Sequence, residues 1–261
     1  METEQYNVQE NEEVEHSNVQ LLQGNCLELM KDIEDKSIDM ILCDLPYGTT
    51  ACKWDIVIPF DKLWEQYNRI IKDKGIIILN STQPFTSNLI ISNKIIFKYT
   101  LHWNKKTHSN PLLAKKQPLR IMEDIVIFYK KFGTYNPQMV DGEPYKKDYG
   151  YKKHSSDSFG NTNLIDKDNN TGKRYPTNLL EIPINKNNRK FNHPTQKPVA
   201  LMEYLIKTYT NEGDLVLDNC MGSGTTGVAC KKLNRTFIGI ELDEKYFDIA
   251  KQRIEESPKP Y

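Results

Sequence analysis

The stretch from residue 215 to residue 227 constrains the fold of this chain more than any other part of the sequence. Residues 215–217 predict a buried strand, and Gly222, Gly224 and Gly227 follow it with the spacing GxGxxG, just before a predicted helix. Glycines at the end of a parallel strand let the backbone turn sharply and let a ligand come close to the main chain. The amides at the start of the next helix present partial positive charge to that ligand. The stretch therefore predicts an α/β fold with a ligand site at the carboxyl end of a strand.

Apolar segments with strand and helix periodicity alternate along much of the chain. With 38% hydrophobic residues among 261, the chain is large enough for one α/β domain with an insertion. The predicted strands are 19–23, 37–43, 75–79, 95–103, 124–129, 214–217 and 236–240. The predicted helices are 60–73, 84–94, 198–210, 225–233 and 243–255. This alternation predicts a mostly parallel sheet covered by helices on both faces.

Two segments fall outside this alternation. Residues 1–17 carry six glutamates and no periodicity, which predicts a disordered acidic tail. Residues 131–190 are rich in Asn, Lys, Tyr, Gly and Pro, and they are too long for a plain loop, which predicts a small domain or a functional insertion. The predicted α/β domain is therefore split into residues 18–130 and residues 191–257.

The formal net charge of the chain is zero, but the charge is unevenly distributed. Residues 94–197 hold 20 Lys and Arg against nine Asp and Glu, a net charge of +11, and the rest of the chain carries −11. A basic middle can line a groove for nucleic acid, although a solvated surface insertion has the same composition. Basic doublets, several of them interleaved with tyrosines, are the predicted phosphate contacts: Lys105, Lys106, Lys146, Lys147, Lys152, Lys153, Lys173 and Arg174.

Composition also disfavours several classes of protein. No apolar run approaches the roughly 18 residues needed to span a bilayer, and the polar N-terminus lacks the pattern of a signal peptide. The five cysteines form no CxxC pair, which indicates reduced thiols in a cytoplasmic protein. The histidines show no metal-ligand spacing, so no metal is predicted.

The GxGxxG spacing leaves two kinds of cofactor open. A dinucleotide is one, and Glu241 ends the last predicted strand, where a carboxylate can accept hydrogen bonds from ribose hydroxyls. That interpretation makes the protein a nicotinamide-dependent oxidoreductase, which would need a second nucleotide-binding half. Only one strand is predicted after the glycines, and it does not supply that half. Asp218, just before the glycines, suits a cationic amino-acid group better than a pyrophosphate.

A second motif, Asp44-Leu45-Pro46-Tyr47, directly follows the strand predicted at 37–43. The carboxyl ends of parallel strands are where α/β sheets place their chemistry. The Asp44 carboxylate and the Leu45 carbonyl could accept both hydrogens of a base's exocyclic amine, which would free its lone pair for methyl transfer. Pro46 stiffens the turn, and Tyr47 offers a ring on which an extruded base can stack. Alone, such a tetrapeptide is more often an ordinary turn. The catalytic interpretation is favoured only because the glycine stretch is predicted in the same sheet.

In this order, the two motifs resemble those of DNA amino-methyltransferases of phage and restriction-modification type, in the branch whose catalytic segment comes first. The resemblance extends from about Leu21 to about Ile254. Residues 24–28 are similar to the early segment that contacts the cofactor adenine, 44–47 to D-P-P-Y, 193–198 to the segment before the cofactor strand, and 218–226 to D-P-F-x-G-S-G-T-T. It implies a Rossmann-like methyltransferase fold with S-adenosylmethionine as cofactor. The implied cofactor-binding residues are Asn25, Cys26, Asp44, His193, Thr195, Lys197, Asp218, Cys220, Gly222, Ser223, Gly224, Thr225, Thr226, Glu241 and Leu242.

The resemblance also implies a reaction, which is methyl transfer to the exocyclic amine of a flipped base in double-stranded DNA. Residues 131–190 would be the target-recognition insertion, and the setting would be the cytoplasm of a bacterial or phage-infected cell. Asp44 favours N6 of adenine, because Asp usually accompanies adenine in this family and Ser accompanies cytosine. N4 of cytosine and an RNA substrate remain alternatives, and a homodimer and a partner restriction endonuclease remain open. Three departures from the family pattern are Leu45 for a proline, Asn219-Cys220 for Pro-Phe, and Asn25 where an acid is common.

Overall fold

The structure is a computed structural model that describes residues 18–49, 55–109, 111–144, 155–156, 160–161, 171–184 and 196–258. Its strands are β1 (Val19–Gln23), β2 (Ile38–Cys43), β3 (Ile71–Ser81), β4 (Phe97–Ser109), β5 (Arg120–Phe128), β6 (Val140–Asp141), β7 (Ser155–Ser156), β8 (Gly160–Asn161), β9 (Lys173–Arg174), β10 (Leu179–Glu181), β11 (Leu215–Asp218) and β12 (Thr236–Glu241). Its helices are α1 (Cys26–Leu29), α2 (Phe60–Ile70), α3 (Phe85–Ser92), α4 (Val199–Tyr209), α5 (Thr225–Lys232) and α6 (Glu244–Glu256), with 3₁₀ turns at Met30–Asp32 and Pro111–Leu113.

Eight strands form one central sheet in the order β1-β12-β11-β2-β3-β5-β4-β10. The five strands from β1 to β3 in this order are all parallel to one another. β5 is antiparallel to both of its neighbours, and β10 is parallel to β4, so only β5 opposes the general direction. Parallel strands end at the same edge of a sheet, so the loops after β1, β2, β11 and β12 meet there.

Side chains of the central strands alternate between two hydrophobic cores, one on each face of the sheet. Met40 and Leu42 of β2 face a core that includes residues of α4, α5 and α6. Ile41 and Cys43 face the opposite core, which includes residues of α1, α2 and α3. Burial on both faces explains why these strands are continuous apolar runs. The prediction of a mostly parallel sheet covered by helices on both faces is confirmed.

The boundary between α2 and β3 differs from the predicted one. The helix was expected to extend to residue 73, because Ile70 and Ile71 both continue its apolar face. In the structure α2 ends at Ile70, and Ile71 pairs with Ile38 as the first residue of β3. Sheet pairing therefore decides the conformation of Ile71, and helical periodicity does not.

Part of the predicted insertion at 131–190 belongs to the central sheet. β10 was not predicted, since three residues are too short for a periodicity signal, and it adds to the edge of the sheet beside β4. Trp103 of β4 fixes this edge by donating a hydrogen bond from Nε1 to the Ile182 carbonyl at 2.7 Å. The other described parts of the segment include the short ladders β6–β9 and β7–β8. Among the described residues, no helix is long and apolar enough to cross a membrane.

Candidate active site

A cavity of about 930 Å³ opens at the edge of the sheet where the parallel strands end. Its walls come from the residues that follow β1, β2, β11 and β12, and from side chains of β4 and β5. The cavity therefore contains both the tetrapeptide at 44–47 and the loop at 218–223, which are about 170 positions apart in the sequence. The two segments lie close together because each follows a parallel strand, and parallel strands end at the same edge of the sheet.

The glycine turn after β11 depends on backbone conformations that favour glycine. Gly222 has φ of 52° and Gly224 has φ of 76°, both in the left-handed region. The Met221 amide donates to the Ile240 carbonyl at 2.9 Å, and the Gly222 amide donates to Glu241 Oε2 at 2.8 Å. The turn is thereby fixed against the end of β12, at the wall of the cavity.

Glu241 fixes the backbone around it and also faces the cavity. Its second carboxylate oxygen accepts a hydrogen bond from the Asp243 amide at 2.9 Å, and its carbonyl accepts one from the Gly24 amide at 2.8 Å. Burial raises the pKa of Glu241 above its ordinary value, although the amides of Asp243 and Gly222 favour the ionised form. Next to it, Asn25 caps α1 by accepting a hydrogen bond from the Leu27 amide at 2.9 Å.

Asp218 is a buried carboxyl group beneath the glycine turn. It accepts hydrogen bonds from the Cys220 amide at 3.1 Å and from the Thr226 hydroxyl at 2.6 Å. Burial raises its pKa to about 7, and these two hydrogen bonds only partly offset that effect. Within the described part of the chain, no basic side chain forms an ion pair with Asp218. A buried carboxylate of this kind favours a ligand that brings a positive charge.

Asp44 lines the same cavity and directly follows β2, the strand that pairs with β11 in the sheet. Its Oδ1 accepts a hydrogen bond from the Tyr47 hydroxyl at 2.7 Å, and its Oδ2 accepts one from Lys197 Nζ at 2.6 Å. Leu45 turns its side chain into the core. The prediction for this position involves only the backbone carbonyl, and burial of the side chain is compatible with it.

The ring of Tyr47 has two neighbouring side chains. It packs against Phe85 with ring centroids 5.0 Å apart, and Lys197 Nζ lies 5.9 Å from its centroid. The loop after it is fixed by Asp55, whose two carboxylate oxygens accept hydrogen bonds from the amides of Gly48 and Thr49 at 2.8 and 2.9 Å. A fixed aromatic ring at the wall of a cavity is suited to stacking against a planar ligand.

A buried group of alternating charges extends from Asp44 along the wall. Lys197 Nζ also lies 3.4 Å from Glu123 Oε2, and Lys105 Nζ lies 2.9 Å from Glu123 Oε1. Burial opposes the charge of Lys197, but Asp44 and Glu123 outweigh it, so the pKa of Lys197 is raised. Burial likewise opposes the charge of Glu123, but Lys197 and Lys105 lower its pKa below the ordinary value. Lys197 and Glu123 are therefore both charged near neutral pH.

The structure brings most of the predicted site residues to this one cavity. Those that line it are Asn25, Cys26, Asp44, Leu45, Pro46, Tyr47, Lys197, Asp218, Cys220, Gly222, Ser223, Thr225, Thr226, Glu241 and Leu242. Gly224 lies behind them as the N-cap of α5. His193 and Thr195 lie outside the described residues. Ser223 is the link to their segment, since its hydroxyl donates to Gln196 Oε1 at 3.0 Å.

The predicted phosphate contacts are placed in different surroundings. Lys105 is buried in the wall of the cavity, and its neighbour Lys106 is half exposed and pairs with Glu181. Lys173 pairs with Asp141, and Arg174 donates to the Glu143 carbonyl. Lys146, Lys147, Lys152 and Lys153 lie outside the described residues, as does the predicted acidic tail at 1–17.

Sequence patterns missed several residues that line the cavity, among them Glu123, Arg120, Met122 and Asp55. Glu123 belongs to β5, where it precedes an apolar run and could be taken for a surface residue. β5 runs antiparallel to β4, its register pairs Glu123 with Trp103, and both residues line the cavity. The described residues contain no cluster of acids, histidines and cysteines that could hold a metal ion.

Comparisons with known proteins find a matching family, similar sequences and similar solved structures. The DNA methylase family of the N6/N4 type matches residues 38–252. The type II methyltransferase M.HpaI of Haemophilus parainfluenzae is 30% identical over 90% of this chain and 74% of its own length. The DNA adenine methyltransferase YhdJ of Escherichia coli is 30% identical over 90% of this chain and 82% of its own. The crystal structure of the M1.HpyAVI-SAM complex superimposes with a TM-score of 0.60 and 26% identity, covering 90% of this chain and 99% of that one.

Proposed function

Because the chain belongs to the N6/N4 DNA methylase family, we propose that it methylates N6 of adenine in double-stranded DNA, using S-adenosylmethionine as the methyl donor. One observation carries the proposal: Asp44 and the glycine turn line a single cavity. Asp44 offers a carboxylate to an amine, and the buried Asp218, at the end of the neighbouring strand, offers one to a cation. The alternative of a nicotinamide-dependent oxidoreductase is not supported, since the family match covers most of the chain.

The cavity wall at Asp218, Gly222 and Glu241 fits S-adenosylmethionine. The buried carboxyl of Asp218 suits the cationic amino-acid part of the cofactor, and Glu241 ends its strand where it can accept hydrogen bonds from ribose hydroxyls. The left-handed turn at Gly222 leaves the main chain open to close approach. When bound, the cofactor supplies an electrophilic methyl group on a sulfonium.

The protein's part in the chemistry is to bind and orient the amine. The nitrogen lone pair of an adenine amine is delocalised into the ring, so the free amine is a poor nucleophile. Asp44 and the Leu45 carbonyl would accept its two hydrogens, which favours a pyramidal nitrogen with an available lone pair. Tyr47 would hold the flipped base by stacking, and Pro46 would fix the angle between the two acceptors. Asp44 would then accept the proton that the methylated nitrogen must lose.

Adenine is preferred over cytosine because the first position of the tetrapeptide is Asp and because a relative over most of the chain is named as an adenine enzyme. Cytosine-N4 methylation is the second candidate, since the matched family includes both kinds. The basic segment of the chain supports a polyanionic partner, and phosphate contact by its lysine doublets stays a prediction. A homodimer and a partner restriction endonuclease also stay predictions.

Methyl transfer from labelled S-adenosylmethionine, followed by nucleoside analysis, tests this proposal. The purified protein should label unmethylated plasmid or phage DNA, and digestion should yield N6-methyladenine as the labelled nucleoside. N4-methylcytosine as the product would transfer the assignment to the second candidate. Label in RNA alone would refute the DNA assignment.

A further inference from the structure

Asp44, Lys197, Glu123 and Lys105 form a linked group that is too buried to be a set of surface ion pairs. The Lys197 and Lys105 side chains are 9% and 7% exposed, and Glu123 separates them. Burying such a group costs free energy that ion pairing often fails to recover. All four line the cavity, so their charges are presented to whatever binds there.

The Lys197 ammonium has N–H groups that donate no hydrogen bond to the described residues. An ammonium group has three hydrogens, and within the described part of the chain Lys197 donates one hydrogen bond, to Asp44 Oδ2. Its contact with Glu123 Oε2 is an ion pair at 3.4 Å, and that oxygen accepts no hydrogen bond from the described residues. Nζ also lies 5.9 Å from the centroid of the Tyr47 ring, where the flipped base is proposed to stack. A donor is thus available next to the plane of the base.

The amine of adenine has an acceptor for such a donor beside it. On the Watson–Crick edge, the N6 hydrogen lies next to the unprotonated ring nitrogen N1, and enzymes that flip bases commonly recognise this edge. Cytosine offers the same pair at N4 and N3, which fits a family that includes both substrates. Guanine and thymine present a carbonyl and a ring N–H instead. Their carbonyl would face the carboxylate and their ring N–H would face the ammonium, so neither pair could form a hydrogen bond.

We propose that Lys197 donates a hydrogen bond to N1 of the flipped adenine while Asp44 accepts one from N6. Each carboxylate oxygen can accept more than one hydrogen bond, so the amine can bind Asp44 without expelling Lys197. This assigns Lys197 to base recognition, whereas the motif that contains it was predicted to bind the cofactor. The inference rests on the proposed function, since it names how the same site selects its base.

Glu123 is the positioning residue in this arrangement. When Lys197 turns towards the base, the Glu123 carboxylate keeps its charge balanced, and Lys105 holds that carboxylate in place at 2.9 Å. The groups that face Lys197 are Asp44 and Tyr47 after β2 and Glu123 of β5, with Lys105 of β4 behind Glu123. Glu123 is thus the second carboxylate that maintains Lys197 as a cation.

Deaza analogues of adenine test the contact at N1. The methylated site is first mapped by sequencing, and oligonucleotides are then made with adenine, 1-deazaadenine or 7-deazaadenine at the target position. The wild type should have a kcat/KM about tenfold or more lower with 1-deazaadenine than with 7-deazaadenine. The first analogue lacks N1, the proposed acceptor for Lys197, whereas the second lacks N7 and keeps N1. Lys197→Met should be slow on all three and should lose this discrimination. The intrinsic reactivity of each analogue is the same for both enzymes. A change in the ratio of kcat/KM values between the wild type and Lys197→Met therefore reports the contact at N1.

Two further variants keep the test decisive. Lys197→Gln retains an N–H donor and should keep part of the discrimination, and it replaces the methionine variant if that one fails to fold. Lys251→Met, on the exposed side of α6, should behave as the wild type. The inference is overturned if the wild type methylates 1-deazaadenine as fast as 7-deazaadenine, or if Lys197→Met discriminates as the wild type does. Failure to methylate unsubstituted adenine would instead refute the proposed function.

Glu123→Gln tests the positioning role through the pH profile. Loss of the carboxylate should lower the pKa of Lys197, so the alkaline limb of kcat/KM should move to lower pH while cofactor affinity is retained. A purely structural role would lower activity equally at every pH. An alkaline limb identical to that of the wild type would remove Glu123 from the proposal.

Discussion

Asp218 is a carboxyl group whose burial should make cofactor binding depend on pH. Its pKa is raised from 3.8 to about 7, so in the free protein it is largely protonated at pH 6 and ionised at pH 8. A cationic ligand prefers the ionised form, and the apparent affinity falls with the fraction of protein in that form. The affinity for S-adenosylmethionine should therefore rise by about tenfold from pH 6 to pH 8, as measured by calorimetry.

Asp218→Asn is the matched variant for this prediction. It keeps the size and one acceptor oxygen of the side chain but cannot ionise, so it should bind the cofactor weakly and lose the rise in affinity between pH 6 and pH 8. Any pH dependence that both proteins share comes from other groups, including the cofactor. The same rise in the variant would show that Asp218 does not face the positive charge.

Some contacts between individual site residues could be predicted from the sequence, and others could not. Asp44 and Gly222 could be predicted to share a cavity, because each follows a buried parallel strand and such strands end at one edge. The hydrogen bond from Lys197 to Asp44 could not, since Lys197 precedes a helix and does not follow a strand that would fix its place. Glu123 was missed for a related reason. Its place in the cleft depends on the direction and register of β5, which local periodicity does not determine.

Helix α5 packs so closely on its neighbours that one glycine of the GxGxxG spacing has a structural role. A Cβ on Gly227 would overlap Ile254 of α6 and would lie 2.6 Å from Phe237 Cε1 of β12. Both of these side chains are fully buried and cannot move away cheaply. This glycine permits close packing between helix and strand, and it does not line the cavity.

Gly227→Ala should lower the free energy of unfolding by about 1–3 kcal/mol, because overpacking outweighs the better helix propensity of alanine. Urea denaturation measures the change. Lys232→Ala on the same helix, at a half-exposed ion pair with Glu203, should change the free energy of unfolding by no more than about 0.5 kcal/mol. A Gly227→Ala protein as stable as the wild type would mean that α5 is packed less tightly than described.

The elements themselves were largely predictable, and their exceptions have local causes. Long apolar runs such as 76–79 predict strands because burial on both faces leaves little room for polar residues. The end of α2 could not be placed, since Ile71 fits the helix face and the sheet equally well. β10 could not be found at all, because its three residues form a strand only through pairing with β4.

Over the whole molecule, the charge distribution predicts how DNA binding should respond to salt. Residues 94–197 carry +11, and each phosphate neutralised releases counterions. Charge reversal at Lys146 and Lys147 should weaken DNA binding and should reduce the slope of log K against log salt concentration by about 2. Fluorescence anisotropy over a salt series measures both effects.

The control for this prediction is the same charge change in the acidic flanks. Lys62→Glu with Lys251→Glu alters two exposed lysines, on α2 and α6, and should leave the slope unchanged. An equal reduction in both double variants would indicate a general effect of net charge. An unchanged slope in the Lys146 and Lys147 variant would remove this doublet from the DNA interface.

A carboxylate after β2 and a cofactor held after β11 are proposed to act on one amine in one cavity. Methyl transfer to DNA by Asp44→Ala, measured beside its affinity for S-adenosylmethionine, tests this most directly. We predict that transfer falls by about 10³-fold or more, while cofactor affinity changes far less, because Asp218, Gly222 and Glu241 are unaltered. Transfer by Asp44→Ala at close to the wild-type rate would contradict the account.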